Sequence, residues 1–126
     1  MLQHTIDRAR SVVSEEHLVT IVGTGHDRFL NTSGTAPMPG LVIEQPGNLG
    51  TAPGILLPTA YVLANNPEAT LAIFPSDHFV YPEGQFCEYI THAFELAEKH
   101  ADKVILVGAI PDRAATEYGW IVPGSD

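Results

Sequence analysis

The chain has 126 residues, 44% of them hydrophobic, enough to bury one core and hardly two. Fifteen Asp and Glu against six Lys and Arg give a formal charge of −9, which argues against non-specific nucleic-acid binding, since that needs a basic face to displace condensed counterions. The single cysteine, Cys87, excludes an intrachain disulfide and any cysteine-based metal site, and every apolar run is much shorter than a membrane span.

The N-terminus, Met1-Leu2-Gln3-His4, lacks the basic-then-apolar order of a signal peptide, so a soluble cytoplasmic protein is expected. In the opening segment, Leu2, Ile6, Ala9 and Val13 recur at helical spacing and predict an amphipathic helix with its charges turned to water. Leu18-Val19-Thr20-Ile21-Val22, β-branched and closed by Gly23, predicts a strand. Residues 23–40 are rich in turn formers, and one helical turn is expected over residues 26–30. Gly23-Thr24-Gly25 lacks the third glycine of a dinucleotide fingerprint.

Leu41-Val42-Ile43 predicts a second strand that runs into Glu44-Gln45-Pro46. A loop follows, and Thr51 is placed to cap a helix through Ala64 that stops at Asn65-Asn66-Pro67. Pro58 faces the carbonyl of Gly54, so a distorted first turn is expected. Leu71-Ala72-Ile73-Phe74 reads as a buried strand stopped by Pro75. Residues 82–100 predict a helix with Phe86, Ile90, Ala93, Phe94 and Ala97 inward and Glu83, Glu88, Glu95 and Glu98 outward. Two further strands are expected, at residues 104–108 and 117–122. Alternation of helices and apolar strands predicts an α/β fold, a mostly parallel sheet flanked by helices. The first helix has no strand ahead of it, so the domain is expected to be incomplete.

Ligands in such sheets bind where the loops leave the carboxyl ends of the strands. Three strand ends carry polar groups there: Glu44-Gln45, Ser76-Asp77-His78 and residues 116–119. Gly50-Thr51-Ala52, at a helix start, offers small side chains and backbone N–H groups to a flat or anionic ligand. No Lys or Arg lies between Arg28 and Lys99. A phosphate handled in that stretch must therefore meet a metal ion, backbone N–H groups or residues from elsewhere. Asp77 suits Mg²⁺, which takes one or two protein carboxylates and completes its shell with water and phosphate. The six histidines admit a zinc reading with His26, Asp77 and His78, although no His pair stands at i, i+4 spacing.

The ordered series Glu44-Gln45-Pro46, Asn48, Gly50-Thr51-Ala52-Pro53, Phe74-Pro75-Ser76-Asp77-His78, then Thr116 with Tyr118-Gly119-Trp120-Ile121 resembles the sugar-1-phosphate nucleotidyltransferases, most closely the mannose-1-phosphate guanylyltransferase (GDP-mannose pyrophosphorylase) group. The resemblance covers nearly the whole chain. It implies a Rossmann-like (GT-A-like) domain that joins a nucleoside triphosphate, GTP, to a sugar 1-phosphate, mannose 1-phosphate, and releases pyrophosphate. By motif, it implies that Asp77 is a Mg²⁺ ligand, that Gln45, Gly50, Thr51 and Ala52 hold the base, that Ser76 lies beside the nucleoside, and that Tyr118 and Gly119 meet the sugar.

Members of this family begin with a Gly-rich, Arg- and Lys-containing phosphate loop and carry a second metal-binding Asp further on. Residues 1–126 are therefore expected to be an internal part of such a domain, inactive alone. Leu49 stands where guanylyltransferases often have Arg, and Ala115 and Glu117 replace the usual Glu and Gly around Thr116. A non-catalytic nucleotide-binding or interaction domain of the same fold is the alternative expectation. Sheet edges left unpaired lead us to expect self-association into a homo-oligomer.

Overall fold

The computed structural model describes residues 1–26, 37–47 and 49–124. Its first element is the helix α1 (Leu2–Arg10), with Arg8 and Arg10 in the last turn, where positive charge complements the carbonyl end of the helix dipole. Ile6 is buried on its inner face. The helix stops short of Val13: the Ser11 hydroxyl donates to the Arg8 carbonyl at 2.6 Å and takes up one of the terminal acceptors. One charge departs from the expected outward pattern, since the Arg8 side chain is only 4% exposed.

After a short 3₁₀ turn (Glu15–His17), β1 (Val19–Gly23) pairs in parallel with β2 (Leu41–Gln45). The register sets Val19 opposite Leu41 and Gly23 opposite Gln45. The Leu41 N–H donates to the Leu18 carbonyl at 2.8 Å and opens the ladder. Gly40, just ahead, has φ +69° and lies close against the backbone of Leu18 and Glu15, where the two strands begin. The helical turn expected over residues 26–30 lies, apart from His26, outside the described residues, as does Asn48.

Helix α2 (Thr51–Asn65) passes through Pro58 without a break. Pro58 has no N–H to give the Gly54 carbonyl, and Thr59 sends its hydroxyl to the Ile55 carbonyl at 2.8 Å one turn back. At the far end, the Asn65 side chain donates to the Tyr61 carbonyl at 2.8 Å. The N-cap is Gly50, not Thr51, and no side chain caps this end. Gly50 takes φ +89°, which an L side chain resists, so the chain can turn sharply into the helix there.

Helix α3 (Glu83–Lys99) buries Ile90 and keeps Phe86, Ala93, Phe94 and Ala97 partly covered, while its four glutamates are exposed, as the sequence pattern predicts. Phe86 packs on Phe74, with ring centroids 5.8 Å apart and planes tilted by 59°. A tilted aromatic pair of this kind contributes about 0.5–1.5 kcal/mol beyond area burial. It fixes the apolar run ahead of Ser76 against α3.

The protein is thus α/β, with a parallel sheet and three α-helices among the described residues. The sheet is smaller than the sequence predicts. Residues 71–74, 104–108 and 117–122 form no ladder, and Ile73, Leu106 and Val122 are exposed. An apolar, β-branched run becomes a strand only when a neighbour takes up its backbone N–H and C=O groups, and the ladder among the described residues ends with β1 and β2. Among the described residues the core is correspondingly small, consisting of Ile6, Leu18 and Ile90. No helix among the described residues is long and apolar enough to cross a membrane.

Candidate functional site

The carboxyl ends of β1 and β2 are tied together by Thr24, and His26 folds back on the end of β1. The Thr24 hydroxyl donates to the Gln45 carbonyl at 2.8 Å, and the His26 ring accepts from the Gly23 N–H at 3.3 Å. Gln45 is thereby held at the strand edge with its side-chain amide directed at the first turn of α2. A Cβ placed on Gly54 would stand 2.8 Å from the Gln45 amide nitrogen. Gly54 is therefore a close-approach glycine, and its cost to helix propensity is explained by the amide that lies against it.

Gln45, Gly50, Thr51 and Ser76 line one open cleft of about 2060 Å³ between α1, the sheet and α2. Pockets fitted to a small ligand are typically about 300–1,000 Å³, so this is open ground onto which several groups face, not a closed mould. Beneath its edge, a hollow of about 180 Å³ is walled by Gln45, Pro46, Leu49 and Leu57. Across the cleft, the Ser14 hydroxyl donates to Glu16 at 2.7 Å and holds that carboxyl below the usual carboxylate range.

Ala52 lies next to Thr51 in the first turn of α2 but does not line the cleft. Nor do Asp77, Tyr118 or Gly119. Asp77 sits with Ser76 on an exposed turn just beyond the Phe74–Phe86 contact. Tyr118 is 69% exposed, on a turn closed by the Trp120 indole N–H donating to the Ala115 carbonyl at 2.8 Å. Among the described residues no three His, Cys, Asp or Glu side chains gather in a way that could hold a metal, so His26, Asp77 and His78 do not form the zinc arrangement. One exposed carboxylate fits a hard cation that draws its other ligands from water and phosphate.

The residues that sequence reasoning missed are in α1. Arg8 donates to the His78 carbonyl at 3.0 Å, to the Thr5 hydroxyl at 2.8 Å and to Glu83 at 3.4 Å, and Thr5 in turn donates to the Ser76 carbonyl at 3.4 Å. A cation from outside the Lys- and Arg-free stretch thus does reach the Asp77 turn. The sequence offered little signal, since Arg8 falls well away from the Leu2, Ile6, Ala9 and Val13 stripe on the helix.

A family model described as nucleotidyl transferase matches residues 1–126. Among curated proteins, the chain is 33% identical to the mannose-1-phosphate guanylyltransferase RfbM of Salmonella typhimurium strain LT2, with 98% of the chain and 26% of that protein aligned. It is 31% identical to a mannose-1-phosphate guanylyltransferase of Escherichia coli K12, over 98% of the chain and 26% of the relative. It is 28% identical to the xanthan biosynthesis protein XanB of Xanthomonas campestris strain B100, over 99% of the chain and 27% of that protein. The chain spans about a quarter of the length of these relatives. No solved structure matches it.

Proposed function

The chain belongs to the nucleotidyl transferase family, and from that premise we propose that it carries the nucleotide-facing part of a site that makes GDP-mannose from GTP and mannose 1-phosphate. In this reaction an oxygen of the sugar phosphate attacks the α-phosphorus in line, a new O–P bond forms, and the bond to the β-phosphate breaks to release pyrophosphate. The guanine and mannose assignments rest on the names of the relatives. The observation that carries the site is the meeting of Gln45, at the carboxyl end of β2, with the first turn of α2, and the opening of Gly50, Thr51 and Ser76 onto the same cleft.

Gln45 offers both a donor and an acceptor to a base edge. Gly50, Thr51 and Ala52 let the nucleoside approach backbone without side-chain obstruction. Ser76 lies beside the nucleoside, and exposed Tyr118 with Gly119 is left for the sugar. Asp77 would hold Mg²⁺, which when bound supplies neutralisation of phosphate charge. For the 126 residues alone we propose no turnover, because Arg8 is spent on the His78 carbonyl, the Thr5 hydroxyl and Glu83, and no other cation lies near the Asp77 turn in sequence.

Competition among GTP, ATP, UTP and dTTP for the chain in the presence of Mg²⁺ tests this reading. Preference for GTP is expected, without pyrophosphate release when mannose 1-phosphate is added; equal affinity for all four would remove the guanylyl assignment. Gly54→Ala should preserve or raise the helix content of α2 by circular dichroism, since alanine favours helix by about 1 kcal/mol over glycine. It should also weaken GTP binding, because the new methyl displaces the Gln45 amide. Unchanged GTP affinity would separate Gln45 from the base site.

A further inference from the structure

We propose that Arg8 and Thr5 of α1 are positioning residues that clasp the turn bearing Asp77. The inference rests on the reading of Asp77 as a metal ligand and adds to it the device that aims the carboxylate. Thr5 and Arg8 stand one helical turn apart, both buried, and the Arg8 guanidinium donates to the Thr5 hydroxyl at 2.8 Å. That bond orients the hydroxyl proton toward the Ser76 carbonyl, 3.4 Å away, while the guanidinium itself takes the His78 carbonyl at 3.0 Å. The Ser76–Asp77 peptide and the His78–Phe79 peptide are therefore held by their carbonyls from one helix face, which restrains the backbone on both sides of Asp77.

A buried guanidinium needs partners for its fork of donors, and here these are two neutral oxygens and the half-exposed Glu83 at the start of α3. The charge is thus not free for a ligand. Its geometry is what the turn uses: a lysine would keep the charge but could not span the Thr5 hydroxyl, the His78 carbonyl and Glu83 together. Asp77 itself stays exposed while its flanking backbone is held.

The test uses the ¹⁵N-labelled 126-residue chain with Mn²⁺ and GTP as the probe, read as paramagnetic broadening of the Ser76, Asp77 and His78 amide signals, alongside ¹⁵N order parameters for the same amides without metal. Arg8→Gln and Arg8→Lys are each expected to lower the apparent Mn²⁺ affinity about tenfold, as loss of outer-shell partners of a metal ligand does. Both should also lower the order parameters of the turn. Should either variant fail to fold, Thr5→Val, which removes the Ser76 arm and one acceptor of Arg8 but leaves the Arg8 bond to the His78 carbonyl, should cost at least about threefold, the worth of one ordinary hydrogen bond. Thr5→Ser, which keeps the hydroxyl, should restore the affinity. Broadening that Asp77→Asn abolishes but that survives the Arg8 and Thr5 variants would overturn the clasp and leave Asp77 as a ligand. Absence of broadening in the unaltered chain, or its persistence in Asp77→Asn, would overturn the ligand reading and the clasp with it. Retention of affinity by Arg8→Lys alone would assign Arg8 a role through charge and overturn positioning.

Discussion

Gly40→Ala is expected to unfold the sheet. A Cβ at this position would lie 2.2 Å from the Leu18 carbonyl oxygen and 2.7 Å from that of Glu15, with both contacts on backbone. The Leu18 oxygen is also the acceptor for the Leu41 N–H, the first bond of the parallel ladder. Moving it away breaks the pairing that sets Gly23 opposite Gln45. The φ of +69° adds its own cost, since a left-handed conformation is unfavourable for alanine by about 1–2 kcal/mol before any clash is counted. Domain stabilities are typically only about 5–15 kcal/mol, so the loss should be visible as a large fall in the urea midpoint or as the absence of a cooperative transition. Gly84, in α3, gives the contrast: a Cβ there meets nothing and φ is ordinary, so Gly84→Ala should stabilise by about 0.5–1 kcal/mol. Similar midpoints for the two variants would mean that the β1–β2 entry does not depend on Gly40.

Asp77→Asn should remove the Mg²⁺ dependence of GTP binding while leaving the fold intact. The residue is exposed and on a turn, so the exchange of one carboxylate oxygen for an amide leaves no buried group unpaired. Asparagine keeps the shape and loses the charge that a hard cation requires. Outer-shell changes already cost about 10–100-fold in metal affinity, and loss of the ligand itself should cost at least about 100-fold. Titration calorimetry with and without Mg²⁺ measures this directly. An Asp77→Asn chain that still binds GTP more tightly with Mg²⁺ would place the ion elsewhere.

Much of this organisation was legible in the residues. The 3.6-residue periodicity of residues 82–100 and the apolar, β-branched runs at residues 18–22 and 41–43 mark local structure that needs little help to form, and each is found within one or two residues of the expected bounds. That Gln45 ends a strand and Gly50 precedes a helix could be read from the sequence, because strand ends and helix starts have their own chemistry. Three predicted strands did not form ladders, since an apolar run specifies burial, not the neighbour that would supply its hydrogen bonds. The cap was placed one residue late because Gly50 enters the helix through a positive φ, which composition alone does not fix. Arg8 was missed for a related reason. Periodicity sends a charged residue outward, and only the arrival of the residue 76–78 turn against α1 gives the guanidinium enough partners to be buried.

Proton–nitrogen correlation spectra of the chain, recorded as GTP is added with and without Mg²⁺, test most directly whether a nucleotide site has been found. The expected result is a Mg²⁺-dependent set of shifts confined to Gln45, Gly50, Thr51, Ala52 and the residue 76–78 turn. Shifts that ignore Mg²⁺, or that fall away from the carboxyl end of β2 and the start of α2, would contradict it and leave a nucleotidyltransferase fold used for something other than nucleotidyl transfer.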